Sequence, residues 1–302
     1  MPVVSSAMVS VRGGFNGVKV YVRLAAALSI YLSLPAGLQA ERLTIHEVPF
    51  EVDRVWEADP ENVKVSLWGQ QSLVPKAQLE DFVISAYLAD PNKLPVKQLD
   101  RFLLAAARAD DLKRAVAALN ARIDLKQSDF AALAGELSVA DGGLAAIKTV
   151  LTSGRDFKSC PDALAAMVYY VGLRDPNWVR VNCLRFAYVF DSQIRSFFGA
   201  RFFEALGETN YALSDQIIAL ESSLFGDDDP LPRQHGLVKA RLRTGLEAVA
   251  EGDVEGLFAL KDMAAADREL IPIIPRLIRE AAHQEAERML LKKIPWPALR
   301  CL

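Results

Sequence analysis

Residues 99–119 read LDRFLLAAARADDLKRAVAAL. Leu99, Phe102, Leu103 and Ala106 fall at i, i+3, i+4 and i+7, and Leu112, Ala115, Val116 and Leu119 repeat that spacing. The period places each set of apolar side chains on one face of a helix. Only a tight turn fits between the two stripes, so the helices must fold back on one another. A helical hairpin is therefore the expected building unit.

The same reading extends along the chain. Leu164, Met167, Val168 and Val171 form another stripe, as do Leu213, Ile217, Leu220 and Leu224. Asp175-Pro176 reads as an N-cap followed by a first-turn proline. Ser159-Cys-Pro-Asp162 has the spacing of a capping box, with Asp in place of Glu. Gly154, Gly207 and Gly226 stand where helices should stop. Together these signals predict about twelve helices of roughly 12–18 residues from Lys76 onward. Residues 41–75 differ: LTIHEVPFEV and VKVSLWGQQSLVP alternate by two, with Val63, Val65 and Leu67 on one side and Lys64, Ser66 and Trp68 on the other. Asp59-Pro60 and Gly69-Gln70 supply turns, so a small β hairpin or three-stranded cap is expected, packed on the first helix.

AARADDLKRA (106–115), SVADGGLAAI (138–147) and VAEGDVEGLF (249–258) share a helix end, an Asp and a restart on small residues. Through these turns and its Ala-rich faces, the chain resembles TPR-like α-solenoid proteins over residues 76–290. The Trp/Leu-Gly/Tyr/Pro signature of standard TPR repeats is absent and the spacing is irregular. The resemblance implies an all-α, α/α superhelix that binds protein partners, here with the β element at its start. Within it, LRFAYVFDSQIRSFFGARFFEAL (184–206) resembles a helix pair of MotC-like periplasmic flagellar motility proteins.

The first forty residues carry Arg12, Lys19 and Arg23 and no carboxylate. An apolar run follows, Leu24 to Leu34, broken only by Ser29 and Ser33; Pro35, Gly37 and a small Ala40 come next. That order is the n-region, h-region and cleavage site of a signal peptide, so residues 1–40 read as an export signal, with Leu38 unusually bulky for its place. Eleven helical residues rise roughly 16 Å, against the ~30 Å core a membrane anchor must cross. The expected location is periplasmic or secreted, with membrane contact only through an uncleaved signal. From residue 41 on, 32 Lys+Arg stand against 38 Asp+Glu, a net charge of −6. An acidic balance argues against nucleic acid or anionic lipid as the main partner. KKIPWPALRCL (292–302) carries two prolines, leaving the face of 270–293 either an exposed edge or covered by further chain.

Motifs for chemistry are few. No P-loop, dinucleotide fingerprint, nucleophile elbow or zincin motif occurs. Cys160 and Cys183 either pair or serve as small buried hydrophobes, and the second reading is preferred; Cys301 stands alone. Glu280, His283 and Glu287 share a helix face, but one Glu-x-x-His copy does not make a di-metal site. Asp227-Asp228-Asp229 lacks EF-hand spacing and reads as a solvated loop. No cofactor or metal is expected. Aromatic residues crowd 169–211, most of them core; Tyr169, Tyr170, Trp178 and Tyr188 are the candidate groove aromatics.

The favoured function is a non-enzymatic scaffold or assembly factor of an envelope complex, in a motility or secretion machine, with envelope proteins as partners. A rival rests on Glu221-Ser222 at the end of an apolar helix, with Gly236-Leu237-Val238-Lys239 downstream. This resembles lytic transglycosylases, whose catalytic Glu-Ser precedes a Gly-Leu-Met-Gln. The resemblance implies Glu221 as general acid for glycosidic cleavage, although Lys239 replaces the Gln and no later sugar-binding segment appears. A glutamate in a deep groove with polar neighbours would favour the enzyme; one on an open last turn would favour the scaffold.

Overall fold

The computed structural model describes residues 41–291 except 128. The signal segment, Cys301 and the two-proline C-terminus lie outside the described residues.

Five short strands come first. Strands β1 (Glu41–Ile45) and β2 (Val48–Val52) form an antiparallel hairpin. Strands β3 (Arg54–Glu57), β4 (Asn62–Leu67) and β5 (Gln70–Pro75) form a second sheet in that order. Two-residue turns at His46-Glu47 (φ 49° and 65°) and Trp68-Gly69 (φ 53° and 79°) close the β1–β2 and β4–β5 hairpins. Positive φ at both positions matches the right-handed twist of the flanking strands. Asp59 closes β3–β4 instead, its Oδ1 accepting from the N–H groups of Glu61 and Asn62 at 2.9 and 2.8 Å. The alternation is as expected: Val63, Val65 and Leu67 are buried, and Trp68 is exposed.

Helices follow directly: α1 (Leu79–Ala89), α2 (Val96–Arg108), α3 (Leu112–Asp124), α4 (Phe130–Val139) and α5 (Asp141–Thr152). Phe50 of β2 meets Tyr87 of α1 and Phe102 of α2 edge-on at 5.4 and 5.3 Å. The Tyr87 hydroxyl donates to the Glu51 carbonyl at 2.6 Å, so the strands do cap the first helices. Next come α6 (Pro161–Arg174), α7 (Pro176–Asn182), α8 (Leu184–Val189), α9 (Asp191–Gly207), α10 (Tyr211–Phe225), α11 (Pro230–Ala250), α12 (Val254–Ala266) and α13 (Ile274–Leu291). The described chain is thus mostly helical, with the small antiparallel region at its start. Helices in substantial contact are never more than four helices apart in the chain, and a continuous apolar core runs from the sheets to α13.

One turn geometry recurs. After α2, Asp110 takes φ 56°, the Asp111 N–H reaches back to the Ala106 carbonyl (2.9 Å), and the Asp111 carboxylate accepts from the Arg114 N–H (3.1 Å). Thr209 (φ 55°) and Asn210 repeat this after α9, and Gly252 (φ 84°) and Asp253 after α11. Each joins a six-to-one helix stop directly to a new N-cap, which explains two of the three turns seen in the sequence. The third, SVADGGLAAI, is built differently. Ala140 caps α5 without a side-chain bond, and a Cβ on Gly142 or Gly143 would lie 2.3 Å from the Ala107 carbonyl oxygen or 2.2 Å from that of Leu137. The glycine pair lets α5 press its first turn onto the backbone ends of α2 and α4.

Three local expectations need correction. Cys160, not Ser159, is the N-cap residue of α6, and no side chain caps that helix. Gly207 is the last helical residue of α9, with the left-handed position falling at Thr209. Residues 176–189 form two short helices, because the Asp175-Pro176 start and the break at Cys183 lie only seven residues apart. The Asp175 N-cap itself stands, accepting from the Trp178 N–H at 3.0 Å.

Candidate functional site

Two adjoining cavities of about 460 Å³ each lie along one face of α9 and share Asp162 and Phe197. The outer one runs along Ser192, Gln193, Ser196 and Ala200. Residues 192–193, 196–197 and 200–201 recur every four positions, so this wall is a single helix face. The inner one is lined by Arg122, Lys126 and Phe130, by the start of α6 and by Phe197 and Arg201.

Local chemistry shapes the inner wall. Arg122 is completely buried at the end of α3. Its Nε donates to Asp100 of α2 at 2.7 Å and its Nη2 pairs with Asp129, while Nη1 has no partner among the described residues. Burial pushes the Asp100 carboxyl above its usual value, against the pull of Arg122. Asp129 stands at the N-cap of α4 but does not cap it; its carboxylate is turned to Arg122. Lys126, exposed and in the left-handed region (φ 53°), has no ion-pair partner among the described residues. Opposite, Pro161 opens α6, and the N–H groups of Asp162 and Ala163 have no acceptor among the described residues. Phe197 is held edge-on against Tyr169 at 5.5 Å, and the Arg201 guanidinium lies 5.1 Å from its ring centre.

Of the four aromatics singled out in the sequence, Tyr169 is core and braces this cavity from behind. Tyr170 is half-buried, edge-on to Tyr169 at 5.0 Å and packed where α4 carries Gly135. Trp178 is half-buried with the Lys148 ammonium 5.3 Å from its ring. Tyr188 is 93% exposed, and Val181, Leu184 and Val189 are exposed with it along α7 and α8. Only the two adjacent tyrosines touch one another.

Glu221 is neither on an open turn nor in either cavity. It is fully buried where α10 meets α11, its Oε2 2.9 Å from Nδ1 of His235 and its Oε1 without a partner among the described residues. His235 stacks on Phe202 at 4.0 Å and meets Phe203 edge-on. The reason is positional: Ser214, Ile217, Glu221 and Leu224 form one buried face of α10, and the α11 helix covering it brings His235 opposite. Lys239, where the transglycosylase pattern has Gln, is ion-paired with Asp215.

Two members of the acidic triplet are in ion pairs: Arg195 grips Asp229 through two bonds of 2.7 Å, and Arg233 takes Asp228. His283 is exposed, and no group of His, Cys, Asp and Glu among the described residues is arranged to hold a metal. Cys160 and Cys183 are free and buried. No described helix is long and apolar enough to cross a membrane. Sequence reading missed Arg122, Lys126 and Arg201, since Arg122 stands between Asn120 and Asp124 like an ordinary surface charge. No known protein family describes this chain, and no curated protein or solved structure is detectably similar to it.

Proposed function

We propose that this protein is an exported, non-enzymatic scaffold or assembly factor that binds another envelope protein through a solenoid-like stack of helical hairpins. The observation that carries the reading is the apolar stripe Val181, Leu184, Tyr188 and Val189, which the two short helices hold out to solvent at spacings of three, four and one. Large side chains grouped this way are what a partner surface covers. The packing of each helix on near neighbours in the chain fits a superhelix that grows by adding hairpins. A photocrosslinking residue at position 188, used in intact cells and followed by affinity capture, tests the reading. One near-stoichiometric envelope protein joined at 188, and not at Lys261 on α12, is the expected result. Recovery of the uncrosslinked protein alone would sink the proposal.

The second reading, a lytic-transglycosylase-like hydrolase with Glu221 as general acid, has one observation in its favour: a fully buried carboxyl with an unpartnered oxygen. Loss of cell-wall cleavage in Glu221→Gln, with folding intact, would support it.

A further inference from the structure

We propose that the exposed stripe on α7 and α8 receives an acidic amphipathic helix of the partner protein, apolar along one face with Asp or Glu at its edges. The inference rests on the scaffold reading and specifies the chemistry of the partner. Its ground is the charge around the stripe. Residues 176–190 contain Arg180 and Arg185 and no carboxylate, and Arg174 ends α6 just before them. All three arginines are exposed, and none has an ion-pair partner among the described residues. The Arg185 guanidinium donates to the Leu151 carbonyl at 3.0 Å and lies 4.6 Å from the Phe186 ring centre, which holds it in place. Arg180 adjoins Val181 on α7. On α8, at about 100° per residue, Arg185 falls between Tyr188 and Val189, with Leu184 beside Tyr188. Each helix therefore presents exposed apolar side chains and a cation together.

Nearby carboxylates do not neutralise this surface. Asp175, the N-cap of α7, is held by Lys148, Asp191 by Arg195 and Asp215 by Lys239. The local surplus is positive on a chain whose charge from residue 41 onward sums to −6. A partner carboxylate would find a guanidinium at the edge of an apolar contact. There charge fixes orientation and suppresses wrong partners while apolar burial supplies affinity. Val181, Leu184 and Tyr188 follow one another at three and four residues, the spacing by which one helix seats on the face of a second. An anionic bilayer suits the surface less well, because the cations are confined to this segment and the chain as a whole would be repelled.

A random peptide library displayed on phage is selected against the purified protein, and the enriched peptides are synthesised and titrated singly. Peptides with apolar residues at helical spacing flanked by Asp or Glu are expected, with affinity that falls as salt rises. Tyr188→Ala, which removes an exposed ring, should weaken binding about tenfold or more. Arg180→Glu, at a side chain with no described contact, should weaken it by a similar factor, and Lys261→Glu should leave it unchanged. Far-UV circular dichroism checks that each variant folds. No enrichment, enriched peptides without carboxylates, or affinities that Arg180→Glu leaves untouched would overturn the proposal. So would binding to vesicles of phosphatidylglycerol and phosphatidylethanolamine that Arg180→Glu abolishes, which would assign the stripe to a lipid surface. The scaffold reading is judged separately by the crosslink at 188. An envelope protein captured there equally well with and without Arg180→Glu keeps the scaffold and removes the acidic partner.

Discussion

Replacing Gly142 by alanine should destabilise the protein, although the same exchange in an ordinary helix stabilises it. Two effects compete. Alanine is favoured over glycine in a helix interior by about 1 kcal/mol. At Gly142 the added Cβ would stand 2.3 Å from the Ala107 carbonyl oxygen, a backbone atom that cannot swing aside as a side chain could. Real Cβ contacts do not come so close, so α5 must lift from the end of α2, disturbing the packing around the fully buried Ala146 and Ile147. Overpacking of this kind typically costs about 1–3 kcal/mol, and rigid backbone places this site at the upper end. The net expectation is a loss of about 2 kcal/mol. Gly199, in the interior of α9 with nothing within 4 Å of a built Cβ, is the control, and Gly199→Ala should gain about 0.5–1 kcal/mol. Urea denaturation followed by circular dichroism measures both. For a chain of this size the pair should bracket the parent melting temperature, about 4–8 °C below and about 1–4 °C above it. If Gly142→Ala were as stable as the parent, the close approach of α5 to α2 would be wrong and the glycine pair would need another explanation.

Three further outcomes are expected. His235→Leu strips the buried Glu221 carboxylate of its partner and should cost about 3–5 kcal/mol, whereas adding Glu221→Leu should restore most of the loss; equal stability of the single and double variants in urea would refute this. The Arg195 guanidinium, then the Leu231 N–H, hold the Asp229 carboxyl below its usual value, so its contribution is complete above the unfolded value near ~3.9 and fades as pH falls through the lower folded value. The stability gap between the parent and Asp229→Asn should therefore narrow from about pH 5 toward about pH 2, and a gap independent of pH would contradict the pairing. Burial pushes the Cys183 thiol up to about 12, so in a Cys301→Ser background it should resist thiol reagents at pH 8 until the protein unfolds; prompt labelling would show that α7 is not packed as described.

Much of the fold is legible in the sequence because period and punctuation agree. The alternation of Val63, Val65 and Leu67 and the stripe of Leu99, Phe102, Leu103 and Ala106 depend only on local geometry, and both are buried as their spacing implies. Asp111 and Asp253 act as the N-caps that their turns suggest. What escaped depends on partners distant in sequence. Nothing near Glu221 reveals that α11 will lay a histidine against it. Ser159 has the spacing of a cap, yet the chain enters α6 one residue later. Arg122 looks like a solvated charge beside Asp124, and only the meeting of α2 and α4 encloses it between Asp100 and Asp129. The cavity was invisible for the same reason: its wall comes from α3, α4, α6 and α9, which no local pattern joins.

The near-neighbour packing of the helices also governs how the molecule comes together and comes apart. Since no substantial helix contact spans more than four helices, each contact closes a short loop, and little chain entropy is lost before it is repaid. If the helices stack as a solenoid, as proposed above, folding can begin at any hairpin and spread in both directions. Opening should be graded likewise: amides in α12 and α13, which bury fewer residues among those described, should exchange with solvent while those in α3 and α6 remain protected. Opening of the last described helices would leave the buried core around Phe102 and Met167 intact.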